Sequence, residues 1–361
     1  MSIDDWRRKV DELDREIVKL LCERARIALE IGKAKESSGR QVFSVLRERQ
    51  VMANVASLAA DPLGPERAAR IYREIISACR SLEKDISVSY LGPQGTFSHF
   101  AARTQFGSSV NYCSARDIAS VFRDVAAGRA DYGVAPIENS SDGAVNETLD
   151  MLVETDLLIC AELCLEVHHC LLAKDARRKI RRIYSKPEVL AQCRTWLAEH
   201  YPDAELIPTG STAAACAQVV DEKGAAAIAH CFAEEIYPLK TIAHNIEDNS
   251  HNVTRFIVLS RHPGERSERD KTSLVLSLAH RPGSLCEALM PFKKRGINLT
   301  WIVSRPSRKN SWEYYFFVDL EGHCETPAVR ETLGELRTCS NYTRVLGSFP
   351  AAGQIREPTQ V

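Results

Sequence analysis

Charged side chains recur at helical spacing in the first 84 residues. Arg24 and Lys35 are eleven residues apart, which at about 100° per residue puts both on nearly the same side of a helix. Arg7 lies seventeen residues before Arg24 and points about 100° away, which suits a site completed by a partner chain. Further on, Cys79 and Glu83 stack at i, i+4, so an acid faces inward and needs a partner. A solvated helix face explains any one of these charges, but the joint pattern favours a site that works through positioned charge.

A second group of residues, with side chains that could bind a ligand or take part in catalysis, lies in polar turns that follow short apolar runs. In α/β sheets, ligands bind beyond the carboxyl ends of the strands, where these turns lie. The first turn, GPQGTFS at 92–98, is not G-x-G-x-x-G and lacks the acidic residue that a dinucleotide site places after a second strand. NAD binding is therefore not predicted.

The elements that must position the first group are helices. Apolar residues from Trp6 to Ile31 follow the spacing of one helix face, which predicts a helix from about Asp4 to Lys35. Two more helices are predicted, over about 44–60 and 65–84, with DPLGP as the break between them. At about 1.5 Å per residue the first helix is close to 50 Å long, so the two shorter helices cannot cover it. On periodicity alone, a coiled-coil dimerisation arm is an equally good interpretation.

From residue 86 the pattern changes to short β-rich runs separated by helical stretches, which predicts an α/β body with a largely parallel sheet. Residues 261–271, RHPGERSERDK, are interpreted as a linker. After it, the order βαββαβ predicts an α+β, ferredoxin-like sheet with helices on one face. The last eleven residues have no apolar pattern and are predicted to be a flexible tail.

Composition excludes several classes of protein. Lys and Arg total 47 against 48 Asp and Glu, and neither sign is concentrated, so neither nucleic acid nor a membrane surface is a predicted partner. No apolar run approaches the about 18 residues of a spanning helix, and the N-terminus lacks a secretory signal, so a cytoplasmic protein is expected. The twelve cysteines contain no C-x-x-C pair and are interpreted as reduced thiols, with no metal site.

The segments WRRKVDELDREIVKLLCER, IGKAK and LRER, within about 4–84, resemble the all-helical chorismate mutase domain. The resemblance implies an intertwined helical dimer, which would cover the long helix. It also implies a chorismate site in which three arginines hold the two carboxylates, a lysine donates to the ether oxygen and a glutamate accepts from the ring hydroxyl. The three arginines are Arg7 of the partner chain, Arg24 and Arg47. The lysine is Lys35 and the glutamate is Glu48, while Cys79 and Glu83 line the pocket.

The chemistry explains the cations, because a Claisen rearrangement needs a folded conformer and charge at the breaking C–O bond rather than a nucleophile. Two positions depart from the family pattern. Ser44 stands where some members have Asp, and Glu83 where some have Gln. Glu83 could donate to the ether oxygen only when protonated, and we expect burial to keep it so.

GPQGTFS, together with PIENSSDG at 136–143, YSKPEVLAQCR at 184–194, GSTAAA at 210–215 and NVTRF at 252–256, resembles prephenate dehydratase. The resemblance implies two α/β lobes around a cleft, similar to periplasmic binding proteins. It assigns Thr254 to assisting loss of the ring hydroxyl. It places other residues around the substrate (Glu138, Asn139, Ser185, Gln192, Cys193) and a third set at its carboxylates (Thr96, Ser98, Arg255).

Structural interpretations compete at some of these positions. Ser185, with Pro187 and Glu188 after it, also has the pattern of a helix N-cap and capping box, and both roles can coexist. Cys193 is equally well interpreted as a core thiol, and the pair His168-His169 as strand packing rather than a metal site.

PGSL, GINLT, VSRP and WEYYFFVDLEG resemble an ACT domain of the phenylalanine-responsive kind over about 272–350. The resemblance implies that two turns bind L-phenylalanine between paired domains: Gly283, Ser284 and Leu285 in one, and Ser304, Arg305 and Pro306 in the other. Val303 replaces an acidic residue of the second turn, which bears on ligand affinity. A dimerising ACT domain that has lost its ligand is the alternative.

Together the resemblances imply a multidomain enzyme with domains at 1–85, 86–262 and 272–350 and a tail at 351–361. It would convert chorismate through prephenate to phenylpyruvate in phenylalanine biosynthesis, without a cofactor or metal, as a homodimer or higher even oligomer inhibited by L-phenylalanine. Two alternatives remain: a monofunctional dehydratase with a degenerate helical arm, and an amino-acid-sensing binding protein. Arg24, Lys35 and Arg47 argue against the first, and Glu138, Thr254 and Arg255 against the second.

Overall fold

The structure is a computed structural model that describes residues 1–37, 43–175, 177–249, 251–307, 313–352 and 354–355. The chain divides into two compact units: residues 1–87 with 106–111, and residues 88–105 with 112–361. In the described ranges no helix is both long enough and apolar enough to cross a bilayer. No disulfide joins any of the cysteines, all of which fall within these ranges.

The first unit is helical, as predicted, with helices that begin and end within about two residues of the predicted limits. They are α1 (Ile3–Ser37), α2 (Val45–Leu58) and α3 (Gly64–Glu83). Ser44 caps α2, because its hydroxyl accepts from the Arg47 amide at 3.1 Å. Gly32 allows α1 to approach α3 closely, since a Cβ there would lie 3.0 Å from the Cβ of Glu83. This contact fixes the separation of the two helices where the predicted charged residues lie.

The second unit contains three sheets joined by helices. The first sheet has the order β16-β5-β11-β3-β1-β2, with β4 paired to β3. Its strands are β1 (Ser87–Leu91), β2 (Asn111–Ala115), β3 (Tyr132–Asn139), β4 (Gly143–Ala144), β5 (Leu158–Glu166), β11 (Val253–Ser260) and β16 (Gln354–Ile355). The helices along this part of the chain are α4 (Phe97–Phe106), α5 (Ile118–Ala126) and α6 (Asn146–Glu154).

The second sheet has the order β10-β6-β9-β7-β8. Its strands are β6 (Cys170–Ala173), β7 (Arg182–Ser185), β8 (Glu205–Pro208), β9 (Ala225–Ala229) and β10 (Lys240–Ala243). The elements between them are α7 (Pro187–Gln192), α8 (Arg194–His200), α9 (Thr212–Val220) and a 3₁₀ turn at Cys231–Glu235.

The expectation of a largely parallel sheet is wrong. β3 pairs parallel with β1 but antiparallel with β11, and β11 is antiparallel to β5 as well. In the second sheet β7 is parallel to β8 and β9, whereas β6 is antiparallel to both of its neighbours. Both sheets are therefore mixed. In the first sheet the antiparallel strand is β11, which returns there after the chain has completed the second sheet, and in the second sheet it is β6.

The third sheet has the order β13-β14-β12-β15, built from a βαββαβ segment. Its elements are β12 (Asp270–Ser277), α10 (Ser284–Lys294), β13 (Leu299–Pro306), β14 (Tyr314–Glu321), α11 (Pro327–Cys339) and β15 (Tyr342–Pro350). One face packs on α10 and α11 through Leu274, Phe292 and Leu333. The other face joins the core of the first sheet, where Phe317 and Phe349 pack with Ile257 and Leu259.

The predicted linker is part of this packing rather than a loose connection. Gly264 has backbone oxygens of Cys160 and Ser348 within 2.7 Å of where a Cβ would stand, so the chain passes tightly between two strands there. β12 already begins at Asp270. Residues 354–355 pair with β5, while residues 353 and 356–361 of the predicted tail lie outside the described residues.

Candidate functional site

A cavity of about 300 Å³ in the helical unit brings together residues of α1, the start of α2, and α3. Seven of the eight predicted mutase-site residues line it, all except Arg7, together with an apolar wall formed chiefly by Ile27, Ile31, Val51 and Ile76. The seven are Arg24, Lys35, Ser44, Arg47, Glu48, Cys79 and Glu83. The structure therefore collects, in one place, residues that are up to 59 positions apart in the chain.

Two ion pairs organise the charges of this cavity. Lys35 Nζ donates to Glu83 Oε2 at 2.9 Å, and an Arg80 guanidinium nitrogen donates to Glu48. Within the described residues Arg24 and Arg47 have no ion-pair partner. The two pairs cancel, so these two guanidinium groups leave the cavity with an excess of positive charge that suits a dianion.

Arg80 is a cavity residue that the sequence patterns missed. It is 4% exposed and lies between the rings of Phe43 and Phe106, at 5.2 and 5.7 Å from their centroids. Desolvation raises the pKa of Glu48, while Arg80 and Lys35 oppose that shift. The available signal was an arginine directly beside Cys79 on the inward side of α3.

Glu83 contacts the lysine of the predicted site. Its Oε2 accepts from Lys35 Nζ at 2.9 Å, so in this arrangement Glu83 helps to orient Lys35. That Glu83 is protonated stays a prediction.

Arg7 does not line the cavity of its own chain. Its side chain is 76% exposed and contacts Asp4 at 3.4 Å. The same end of α1 exposes an apolar stripe: Trp6, Val10, Leu13 and Ile17 are each more than half exposed. Large apolar side chains in a continuous helical stripe mark a surface for another protein chain.

Thr254 and Asn139 form the centre of a second candidate site in the first sheet. They are register partners on β11 and β3, and Asn139 Nδ2 donates to Thr254 Oγ1 at 2.8 Å. The Asn139 amide also donates to Asn252 Oδ1 at 2.8 Å, while its oxygen accepts from the backbone amides of Ser141 and Asp142. Asn139 therefore occupies one of the two lone pairs of the Thr254 oxygen, and the hydroxyl proton of Thr254 points away from Asn139.

The GPQGTFS loop lies close to the second sheet. Thr96 directly precedes α4, its hydroxyl lies 3.0 Å from the carbonyls of Leu91 and Pro93, and Ser98 is buried. Phe97, between them, contacts the rings of His169 and His230 edge-on at 5.7 and 5.2 Å. The loop is thus held against histidines of the other sheet.

His169 is a second residue that the sequence analysis left out. Its Nε2 lies 2.8 Å from Gln192 Oε1, and burial lowers its pKa, an effect that Gln192 and Glu247 oppose. The neutral ring donates to the amide oxygen, which turns the amide NH₂ of Gln192 the other way. His168 contacts Glu247 at 2.7 Å. The strand-packing interpretation of the pair is therefore incomplete.

Ser185 and Cys193 are structural in this arrangement. The Ser185 hydroxyl is buried and donates to the Ile228 carbonyl at 2.7 Å, and Lys186, not Ser185, occupies the N-cap of α7. The predicted capping box is therefore wrong. Cys193 is completely buried among apolar residues, and burial, with Glu247 and Asp248 nearby, raises the pKa of its thiol to about 12.

Glu138 and Arg255 are not brought to the side of Thr254. Glu138 precedes Asn139 on β3, and Arg255 follows Thr254 on β11. Because side chains alternate along a strand, both lie on the opposite face of the sheet. There Arg255 binds Asp319, lies 3.4 Å from Glu162 and 3.5 Å from Glu138. Burial opposes the charge of Arg255, but these carboxylates together raise its pKa. The expectation that Arg255 sets a cation beside a substrate at Thr254 is not supported by this placement.

The predicted effector turns lie at two places on the third sheet. Gly283 has φ +86° and precedes α10, Ser284 is buried and Leu285 is 37% exposed. On β13, Ser304 and Pro306 are exposed, whereas Arg305 donates through two nitrogens to Asp150 of α6, each at 2.9 Å. Val303 packs against the core of the first sheet.

Three family models match the chain in succession: chorismate mutase type II at 6–84, prephenate dehydratase at 88–264 and the ACT domain at 272–338. A bifunctional chorismate mutase/prephenate dehydratase of Aquifex aeolicus is 42% identical over 97% of this chain and 98% of its own length. One from Stutzerimonas stutzeri is 42% identical over 95% and 96%. A solved prephenate dehydratase from Arthrobacter aurescens in complex with L-Phe has a TM-score of 0.68 at 36% identity, covering 74% of this chain and 90% of that one.

Proposed function

The chain belongs to the family of bifunctional chorismate mutase/prephenate dehydratases, and from that premise we propose how its own residues carry out both reactions. It rearranges chorismate to prephenate and converts prephenate to phenylpyruvate in phenylalanine biosynthesis, under feedback control by L-phenylalanine through its ACT domain. The observation that supports the assignment of residues most strongly is the cavity in which Arg24, Lys35 and Arg47 converge.

In the mutase reaction, Arg24 and Arg47 hold the two carboxylates of chorismate and so favour the folded conformer that rearranges. Lys35 stabilises charge on the ether oxygen as the C–O bond breaks. Glu83 accepts from the Lys35 ammonium and so helps to orient it. Glu48 accepts from the ring hydroxyl, with Arg80 holding it in place.

The mutase site is completed by a second copy of the chain. The exposed apolar stripe of α1 supports an intertwined dimer, which would bury it and bring in the partner's Arg7. The proposed assembly is a homodimer or a higher even oligomer, located in the cytoplasm. The proposed domain limits remain 1–85, 86–262 and 272–350, with a tail at 351–361.

In the dehydratase reaction, Thr254 donates a hydrogen bond to the leaving ring hydroxyl while CO₂ departs and the ring becomes aromatic. The bond from Asn139 supports this role, because it occupies a lone pair of the Thr254 oxygen and leaves the hydroxyl proton free to point at the substrate. Gln192, oriented by His169, donates its amide to a substrate oxygen. Ser98 binds a carboxylate, and Thr96, whose hydroxyl is 3.0 Å from the carbonyls of Leu91 and Pro93, orients the loop that carries Ser98. The two lobes are those of a periplasmic-binding-protein-like fold.

Regulation is assigned to the ferredoxin-like ACT domain, with L-phenylalanine bound by Gly283, Ser284 and Leu285 and by the turn at Ser304 to Pro306. Because Arg305 binds Asp150, the second turn contributes through its backbone and through Ser304 rather than through the guanidinium.

The experiment that tests the whole assignment follows prephenate and phenylpyruvate after purified protein is mixed with chorismate, with and without L-phenylalanine. We expect phenylpyruvate to form, and its rate to fall when L-phenylalanine is added. Prephenate that accumulates alone would remove the dehydratase assignment, and unchanged chorismate would favour a degenerate mutase domain. Phenylpyruvate formation that is insensitive to L-phenylalanine would remove the effector assignment.

A further inference from the structure

The strand that carries the predicted effector turn also contacts the strands of the dehydratase site. On β13, Trp301, Val303 and Arg305 are partly buried, whereas Ile302, Ser304 and Pro306 alternate with them and are exposed. The period of two means that one face of the strand makes the contacts with the first sheet and α6.

Trp301 makes the most specific of these contacts. Its indole Nε1 donates to Glu138 Oε1 at 2.9 Å, and its ring centroid lies 4.6 Å from the guanidinium carbon of Arg255. Glu138 directly precedes Asn139 in the chain, and Arg255 directly follows Thr254. The indole therefore contacts the neighbours of both members of the Thr254–Asn139 pair.

The ladder between the two strands of the site is irregular at this point. β11 pairs with β3 at Thr254 and Arg255, but the register shifts between Arg255 and Phe256, whereas pairing with β5 on the other side is continuous from Val253 to Val258. The contacts of Trp301 with Glu138 and Arg255 therefore join β3 and β11 where the ladder between these two strands is interrupted.

The third sheet also fixes the charge of Arg255. Asp319 of β14 is 1% exposed and binds the guanidinium, and Ser273 of β12 donates to the other Asp319 oxygen. Glu162, 2% exposed, lies between Arg255 and Lys271. Since an unpaired buried charge is costly, Arg255 stays where these carboxylates are, and the carboxylate from the third sheet is among them.

We propose that Trp301 is a positioning residue of the dehydratase, through which the effector-binding strand holds Asn139 and Thr254 in their reactive arrangement. It acts through Glu138 and Arg255 and does not contact the substrate. A ligand bound at the exposed positions of β13 would then change turnover by shifting the indole on the other face. The inference rests on the proposed function of the Thr254 site and on L-phenylalanine as the effector.

The test compares wild-type protein with Trp301→Phe, which keeps a ring over Arg255 and removes the N–H donor. We expect kcat with prephenate to fall about tenfold while KM stays within about twofold, as for a loss of positioning in the transition state. L-Phenylalanine should still raise the melting temperature of the variant but inhibit it less. Tyr342→Phe is the matched control, because it also removes one donor from an aromatic side chain but lies on β15, at the other edge of the third sheet. It should behave as wild type, and mutase activity should be unchanged in all samples.

A second variant covers the case in which Trp301→Phe does not fold. Asp319→Asn keeps the shape of the side chain but weakens the hold on Arg255, and we expect the same split between kcat and KM. Wild-type kcat and wild-type inhibition in a folded variant of either kind would overturn the inference. Absence of dehydratase activity in the wild type would instead refute the proposed function, so the two failures are distinguishable.

Discussion

At the scale of single residues, the hydroxyl of Thr254 has a defined direction because Asn139 donates to it. We expect Thr254→Ala to lower dehydratase kcat by about 100-fold, the size of one acid or electrostatic contributor, while Thr254→Ser keeps most of the activity. The measurement is steady-state turnover of prephenate, with chorismate turnover by the same samples as the control for folding. Near-wild-type dehydratase turnover in the alanine variant would show that Thr254 takes no part.

Glu48 predicts a pH effect on the mutase. Desolvation raises the pKa of its carboxyl, so the carboxylate is lost at a higher pH than in an ordinary glutamate as the solution is acidified. If the carboxylate accepts from the ring hydroxyl, kcat/KM for chorismate should decline as pH falls through that pKa. Glu48→Gln should be less active near neutral pH, by about tenfold, and should lack this decline. An identical acid decline in both proteins would assign it to another group.

The charges of the mutase cavity also show how far residue types and spacing can predict a site. Arg24 and Lys35 line one cavity, as their eleven-residue spacing on a helix indicates. The spacing could not indicate that Lys35 pairs with Glu83, because that contact depends on how closely α1 approaches α3 at Gly32. Contacts between helices are set by packing, which the period of one helix does not contain.

At the scale of elements, the helices were predicted closely and the sheets only in part. Apolar periodicity and breaks such as DPLGP locate helix ends, since both are local properties of the chain. Strand direction is not local. β11 pairs between β3 and β5 after a long excursion through the second sheet, and nothing within VTRFIVLS indicates that it runs antiparallel to both.

The alternation of side chains between the two faces of β11 could nevertheless be predicted from the sequence. Thr254 and Arg255 are consecutive in a strand, so their side chains are expected on opposite faces of the sheet, as they are in the structure. The motif NVTRF suggested a common role because its residues are adjacent in sequence. Strand geometry separates their side chains, and in the structure Arg255 contacts Asp319 and the ring of Trp301.

At the scale of the whole molecule, the exposed apolar stripe of α1 supports a dimer, and mutase activity can test whether each site is shared between two chains. We expect Arg7→Ala and Lys35→Ala each to abolish most mutase activity as homodimers. A heterodimer of the two variants has one site with both residues intact if Arg7 serves the partner's site, so it should recover about half of the wild-type activity. The heterodimer can be obtained by co-expression with two affinity tags and two successive purifications.

A matched control distinguishes complementation from incomplete loss of activity. In the control heterodimer, the Lys35→Ala chain is replaced by a chain that carries both Arg7→Ala and Lys35→Ala, co-purified with Arg7→Ala, which leaves no complete site. Equal activity in the two heterodimers would contradict a site shared between chains, and full activity of the Arg7→Ala homodimer would place Arg7 outside the mutase reaction.

The period of β13 has a consequence for insertions and deletions in this chain. Removing one residue from the strand would exchange its two faces beyond that point, turning Ile302, Ser304 and Pro306 toward the first sheet and Trp301, Val303 and Arg305 toward solvent. Removing two would restore the faces and change only the length. Related chains that differ in length here are therefore expected to differ by even numbers of residues, a constraint that no single position along the strand reveals.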